Sequence, residues 1–191
     1  MNDQHAHMKE CAAEAARVAR AVPRDRLADP TPCAEFDLRG LVNHLVLYTS
    51  HGLEHRALRT DIPDELTGRD FTAEPDWPER YAAQLDRAVA AWADPAVWEG
   101  DIGEMPAAET AAMLIMELAL HGWDVAATVG VEYRLPEETG RYVLGVVERY
   151  AEMYRQYDGF AASVAVDADA SAFRRALAAS GRDPDRLRPG A

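Results

Sequence analysis

The sequence predicts an all-α protein, built as a bundle of long helices. Apolar residues recur at spacings of three and four along most of the 191 residues, as they do on the buried face of a helix. Residues that typically begin or end helices stand at the edges of these segments, among them Asp37, Pro106 and Gly130. Four long helices joined by polar loops form a bundle.

The first two helices are predicted over residues 3–22 and 38–59. Pro23 ends the first helix, because proline cannot continue it. Residues 29–37 hold two prolines and are predicted to form a loop, at whose end Asp37 can cap the second helix. The second helix carries one broad apolar face, made of Leu41, Val42, Leu45, Val46 and Leu53.

A loop over residues 60–76 leads to a third helix over 78–92, and loops of that length are often functional. A further loop over 94–105 precedes the fourth helix, which is predicted to start at Pro106 and to end at Val129. Gly130 can then supply the C-terminal cap.

The C-terminal part of the sequence is predicted to differ from the rest. A fifth helix covers 137–157, residues 163–166 could form a short extended piece, and 170–179 a short helix. Residues 181–191 are predicted to be a weakly ordered tail. We therefore expect a bundle over residues 1–160 and a short C-terminal extension over 161–191.

Charge and composition exclude several classes of function. With 33 acidic against 20 basic residues the net charge is −13, and no basic stripe is present, so nucleic-acid binding is not expected. No uninterrupted apolar run approaches about 20 residues, so no membrane partner is expected either. The polar first ten residues lack the apolar region of a signal peptide, and only two cysteines are present; both facts predict a cytoplasmic protein. A homodimer is left open.

A carboxylate and two histidines form the candidate functional constellation. Glu117 and His121 are four residues apart on the fourth helix, so both can reach one ion. Their segment is strongly apolar, where an acid is costly to bury without a partner. His44 lies in a similar apolar context on the second helix, and bundles build metal sites from facing helices. A plain hydrogen bond between Glu117 and His121 is the alternative.

Two segments carry a resemblance to a known family. The first comprises Thr31-Pro32-Cys33, Phe36-Asp37-Leu38 and Leu41-Val42-Asn43-His44-Leu45, and the second is His121-Gly-Trp-Asp-Val-Ala126. Together they resemble the signatures of the mycothiol-dependent maleylpyruvate isomerase family, whose metal-binding domains are DinB-like bundles. Gly181-Arg-Asp-Pro184 is similar to the end of a single-domain branch of that family. Phe36 stands where the family usually has tryptophan.

The resemblance implies a DinB-like four-helix bundle and a metal site made of His44, Glu117 and His121. Zinc is the implied ion, with nickel or iron as alternatives, and three protein ligands leave a position for another ligand. Mycothiol is the implied thiol cosubstrate. The implied function is a thiol transferase or isomerase acting on a small electrophilic substrate; a metal-dependent binding or sensing module without turnover is the alternative.

Several other residues could serve such a site or simply the fold. Asp124 could hydrogen-bond a ligand histidine, pair with an arginine or hold a neighbouring loop. His51 and His55 share the stripe of His44, but seven residues advance a helix by about 10 Å, which is too far for a shared ion. Both are therefore predicted to be solvated surface histidines. Cys33 could be a nucleophile or a small packed residue. The remaining residues are assigned to the core (Trp123, Met113, Met116) or to the surface (His5, His7).

Overall fold

The computed structural model describes residues 3–186 and is predominantly helical, which confirms the all-α, DinB-like prediction. The chain divides between Tyr133 and Arg134 into two compact units. Part of the predicted tail, residues 187–191, lies outside the described residues. The helices are α1 (Asp3–Ala19), α2 (Leu38–His44), a π-helical segment (Leu45–His51), α3 (Gly52–Leu58), α4 (Asp64–Thr67), α5 (Trp77–Ala91), α6 (Ala107–Val129), α7 (Glu137–Gln156) and α8 (Ala172–Ala179).

The first unit contains the four long helices of the bundle. These are α1, the continuous run from α2 through the π-helical segment to α3, α5 and α6. Helix α1 packs against α5 and α6, α3 packs against α5, and α2 packs against α6. Their contact faces supply the core, in which large side chains such as Met8, Leu41, Leu85 and Ile115 are completely buried. These are the apolar positions whose spacing predicted the helices, so burial of one face explains the fold.

Local signals fix the ends of the two helices that matter for the site. The Asp37 carboxylate accepts a hydrogen bond from the Gly40 backbone N–H at 2.7 Å, which confirms it as the N-cap of α2. Gly130 ends α6 with φ of 78°, a left-handed conformation that glycine adopts without strain. Pro106 immediately precedes α6, which begins at Ala107, one position later than the predicted helix start.

The predicted second helix is continuous in direction but not in hydrogen-bond pattern. Its middle, Leu45–His51, is π-helical, with α-helical turns on either side. Thr49 and Ser50 donate side-chain hydrogen bonds to the Leu45 and Val46 carbonyls at 2.7 and 2.5 Å. In an α-helix these two carbonyls would accept from the backbone N–H groups of Thr49 and Ser50; the hydroxyls occupy them here, and so support the wider turn.

The predicted loops hold more structure than expected. Residues 60–76 include the short helix α4, and residues 94–105 include a turn of 3₁₀-helix, Pro95–Trp98. A two-stranded antiparallel hairpin follows, in which β1 (Asp101–Ile102) pairs with β2 (Met105–Pro106). Gly103, with φ of 63°, stands in its turn, where a positive φ is needed.

The second unit is formed by α7 packed against α8. Gly140 makes this contact close, because a Cβ there would lie 3.0 Å from the Phe173 backbone nitrogen. Residues 163–166 form no strand, although the Val164 N–H bonds to the Ala178 carbonyl at 2.9 Å. Because α7 belongs to this unit, the compact division lies earlier in the chain than the predicted boundary after residue 160, and that domain division stays a prediction.

Helix α6 is long and apolar enough to cross a membrane by length and composition alone. However, 67% of its most apolar window is buried inside the protein, as is typical of a core helix. Its composition therefore follows from its place in the bundle, where it contacts α1, α2 and the π-helical segment.

Candidate metal centre

His44 is the last residue of α2, at the point where the helix widens into the π-helical segment. Its imidazole is half-buried between two aromatic rings, with centroid distances of 5.2 Å to Phe36 and 5.0 Å to Tyr48. Burial, followed by the nearby His121, lowers the pKa of His44 to about 4, although Glu117 acts in the opposite direction. The ring is therefore neutral at pH 7, the form in which a histidine nitrogen can bind a metal.

Glu117 and His121 lie one turn apart on α6, as their spacing predicted. The Nε2 atom of His121 is 3.2 Å from a Glu117 carboxylate oxygen. His121 is buried, and the Glu117 side chain is only 22% exposed. The Glu117 carboxylate thus lies at the edge of the core, and the His121 imidazole is more deeply buried.

Asp124 holds the other side of the same imidazole. Its carboxylate is completely buried and lies 2.9 Å from Nδ1 of His121. Because a carboxylate can only accept there, Nδ1–H donates and Nε2 is directed toward Glu117. Of the three roles that the sequence left open for Asp124, the structure shows the hydrogen bond to the candidate ligand histidine.

The two helices bring the three candidate ligands together. The rings of His44 and His121 meet edge to face with centroids 5.1 Å apart. One donor atom from each of His44, Glu117 and His121 lies within 4.8 Å of the other two. The structure therefore assembles the constellation that the sequence proposed from residues more than 70 positions apart.

The donor set fits a divalent metal. With Nδ1–H donated to Asp124, a neutral His121 presents a lone pair at Nε2 to the Glu117 carboxylate, which is itself an acceptor. A positive charge between the two atoms, either a second proton or a metal ion, satisfies both. Ligand atoms about 2.0–2.1 Å from a tetrahedral zinc are about 3.3 Å apart, close to the observed 3.2 Å.

Other sequence candidates lie away from this centre. His51 is half-buried and stacks on Phe71 with centroids 5.6 Å apart, so its ring is less solvated than predicted. The ring of His55 bonds to the Thr60 hydroxyl at 2.8 Å. Cys33 is partly exposed in the loop before α2, and its role as a nucleophile stays a prediction.

The assignments to core and surface are confirmed in part. Trp123 and Met116 are buried, as predicted, whereas Met113 is intermediate. The prediction that His5 lies on the surface is wrong. His5 is 7% exposed and donates from Nε2 to the Val89 carbonyl at 2.9 Å, because α1 packs along α5.

Two residues beside the centre were missed by sequence reasoning. Phe36 was noted only as a variant of the family pattern, and Tyr48 was not singled out. Tyr48 follows His44 by four positions, so helical spacing could have placed it beside the histidine. Tyr48 is 48% exposed, and its ring lies against that of His44.

Comparison with known proteins identifies one family. The sequence model described as mycothiol maleylpyruvate isomerase N-terminal domain matches residues 8–126. The match includes all three candidate ligands and Asp124. None of the curated proteins and none of the solved structures matches the chain.

Proposed function

The chain belongs to the mycothiol maleylpyruvate isomerase N-terminal domain family, and from that premise we propose that it is a metal- and mycothiol-dependent enzyme. The proposed reaction is transfer of the thiol to a small electrophilic molecule, or a thiol-assisted isomerisation of one. His44, Glu117 and His121 would hold the metal, with zinc as the first candidate and nickel or iron as alternatives.

The observation that carries this proposal is the arrangement around His121. Glu117 and Asp124 approach opposite nitrogens of one imidazole, and the neutral ring of His44 lies on the same side as Glu117. Catalytic zinc sites commonly combine histidines with one carboxylate, and a second carboxylate that orients a ligand histidine is a recurring feature. A purely structural Glu–His pair would not require His44 from another helix.

Each residue has a separate task in the proposed enzyme. Asp124 fixes the tautomer and orientation of His121, and Phe36 and Tyr48 hold the ring of His44. Three protein ligands leave room for an exogenous ligand beside the exposed Tyr48. A divalent metal bound there would lower the pKa of an added thiol and so favour the thiolate, the nucleophilic form.

The proposal is tested first by metal content. Protein purified without chelators or a histidine tag is expected to carry close to one divalent ion per chain. His44→Ala and Glu117→Gln should each weaken metal binding by more than about 100-fold, beyond the typical effect of an outer hydrogen-bond partner. His55→Ala is the matched control, because His55 lies on the neighbouring α3 and its ring bonds the exposed Thr60 hydroxyl.

The thiol is tested on the cobalt-substituted protein. Addition of mycothiol should change the visible absorption spectrum, whereas S-methylated mycothiol should not, and an electrophile should then consume the thiol. A spectral change without turnover would favour the binding-module alternative. If the protein carries stoichiometric metal but the spectrum of the cobalt form does not change with mycothiol, thiol dependence is refuted. If the protein carries no more metal than the His44→Ala variant, the metal site itself is refuted.

A further inference from the structure

A second concave site lies on the first unit, apart from the metal ligands. It is an open cleft of about 280 Å³ between the π-helical segment, α5 and residues 69–77. We call it the Arg69 cleft; among its lining residues are Arg69, Arg80, Arg87, His51 and Phe71. A dry cavity of about 150 Å³ can hold benzene, so this space suffices for a ring with a charged substituent.

Three guanidinium groups border the Arg69 cleft in a chain whose net charge is −13. Arg80 pairs with Asp76 at 2.8 Å, and Arg87 donates to Gln84. The side chain of Arg69 makes neither an ion pair nor a hydrogen bond with any residue between 3 and 186, and its guanidinium carbon lies 5.6 Å from the centre of the Phe71 ring. The guanidinium N–H donors of Arg69 are therefore available to a ligand.

Charges of both signs around the Arg69 cleft act on His51 inside it. His51 is half-buried there, and burial is the main cause that lowers its pKa. Glu54 opposes the shift, whereas Arg87, His55 and Arg69 add to it. The arginines thus act on a group inside the cleft as well as on solvent.

Two carboxylates also line the Arg69 cleft, and one of them is already neutralised. Asp70 accepts hydrogen bonds from Arg39, Asn43 and Thr72, at 2.8, 3.2 and 2.7 Å. Glu74 lies at the exposed rim. Asp76 pairs with Arg80, and Glu54 lies 4.0 Å from Arg87, so Arg69 is the lining arginine that forms no ion pair with a carboxylate among residues 3–186.

The wall that carries Arg69 is held in place by the same network. The side-chain carbonyl of Asn43 accepts from the Phe71 backbone N–H at 2.8 Å, and the amide of Asn43 donates to Asp70. Hydrogen bonds from Asn43 therefore hold residues 70–71 against α2, and Phe71 stacks on His51 at an interplanar angle of 28°. The cleft is preformed, with an apolar floor and a cationic rim, as small-molecule sites usually are.

We propose that the Arg69 cleft binds a small organic anion, with its carboxylate on Arg69 and its apolar body against Val46, Phe71 and Tyr81. Guanidinium groups match carboxylates in geometry and charge, and the rings of Phe71 and Tyr81 provide apolar surface for the remainder of the ligand. The ligand is distinct from the metal-bound thiol, so this site can exist whether or not the chain is an enzyme.

The test uses benzoate as the probe and the chelator-treated full chain, so that the carboxylate cannot bind a metal. Titration followed by amide chemical shifts should be saturable and should move the signals of Phe71 and Gln84. Benzyl alcohol, which lacks the charge, and acetate, which lacks the ring, should each bind at least about fivefold more weakly.

Arg69→Gln should weaken benzoate binding by at least about fivefold and leave the fold intact, because the Arg69 side chain forms no ion pair or hydrogen bond with residues 3–186 that the change would remove. Arg175→Gln is the matched control, since it is an exposed arginine of the second unit with the same change in charge. The proposal is overturned if benzoate does not saturate, if acetate or benzyl alcohol binds equally well, if the shifts centre on His44 and His121, or if Arg69→Gln behaves like Arg175→Gln.

Discussion

Replacing Asp124 by asparagine removes a charge from behind the metal centre without changing its shape. The Asp124 carboxylate is completely buried and accepts from Nδ1–H of His121 at 2.9 Å. A charge-assisted hydrogen bond contributes about 1.5–3 kcal/mol and is about twice as strong as a neutral one. Asparagine can still accept through its carbonyl, so about half of that contribution, roughly 0.75–1.5 kcal/mol, is lost.

This loss predicts that Asp124→Asn weakens zinc binding by about 3.5- to 12-fold, since 1.4 kcal/mol corresponds to a factor of ten. Asp124→Ala removes the acceptor altogether and should weaken binding further, up to about 100-fold. Both values are lower than the loss expected for His44→Ala. The order of the three variants distinguishes an orienting residue from a ligand.

The assay is competition for zinc with a chromophoric chelator, at a pH where the wild type binds one ion. Asp86→Asn on α5 is the matched control, because Asp86 is exposed and undergoes the same change in charge. Circular dichroism and urea unfolding verify that each variant is folded before its affinity is compared. If both Asp124 variants stay within about threefold of Asp86→Asn, the hydrogen bond to His121 has no role in metal binding.

Two further predictions concern the frame of the first unit. In Gly122→Ala the new Cβ would lie 2.7 Å from the Tyr133 hydroxyl oxygen, so we expect a loss of about 1–3 kcal/mol in thermal or urea unfolding; Gly145→Ala, whose Cβ meets open space, should show none. Burial raises the pKa of Asp70, but hydrogen bonds from Thr72, Asn43 and Arg39 outweigh it and lower that pKa to about 2. Because the folded pKa is lower than the unfolded value, this stabilisation is present above about pH 4 and is lost as the pH falls toward 2. Asp70→Asn should therefore cost roughly 1 kcal/mol at pH 7, after allowance for solvent exposure, and the cost should shrink in urea unfolding below pH 4; a cost independent of pH would contradict this.

The features that sequence predicted well depend on neighbours in the chain. Asp37 caps α2 through the N–H three residues on, and Gly130 ends α6 through its own left-handed backbone, so each signal is local. The pairing of Glu117 with His121 follows from helical spacing for the same reason. His44 was predicted as a metal ligand because its segment is apolar and because it matches a histidine of the family signature. Only the packed helices show that it lies beside His121.

The features that sequence missed depend on tertiary contacts or on backbone geometry. A continuous α-helix places His44, His51 and His55 on one stripe, but the π-helical segment between His44 and His51 turns less per residue. His51 consequently lies in the Arg69 cleft, beside Phe71, instead of following His44. The surface assignment of His5 failed because the carbonyl that it meets, that of Val89, is 84 residues away.

The two carboxylates that flank His121 differ in burial, and the difference suits different tasks. Asp124 is completely buried, so exchanging its partner for water would be costly, and its bond to Nδ1 is a fixed part of the fold. Glu117 is partly exposed and faces Nε2 across a gap that either a proton or a cation can fill. A divalent ion entering there competes with that proton, so metal binding is expected to strengthen as the pH rises. The buried acid sets the geometry of the ligand histidine, and the accessible acid completes the site when the ion arrives.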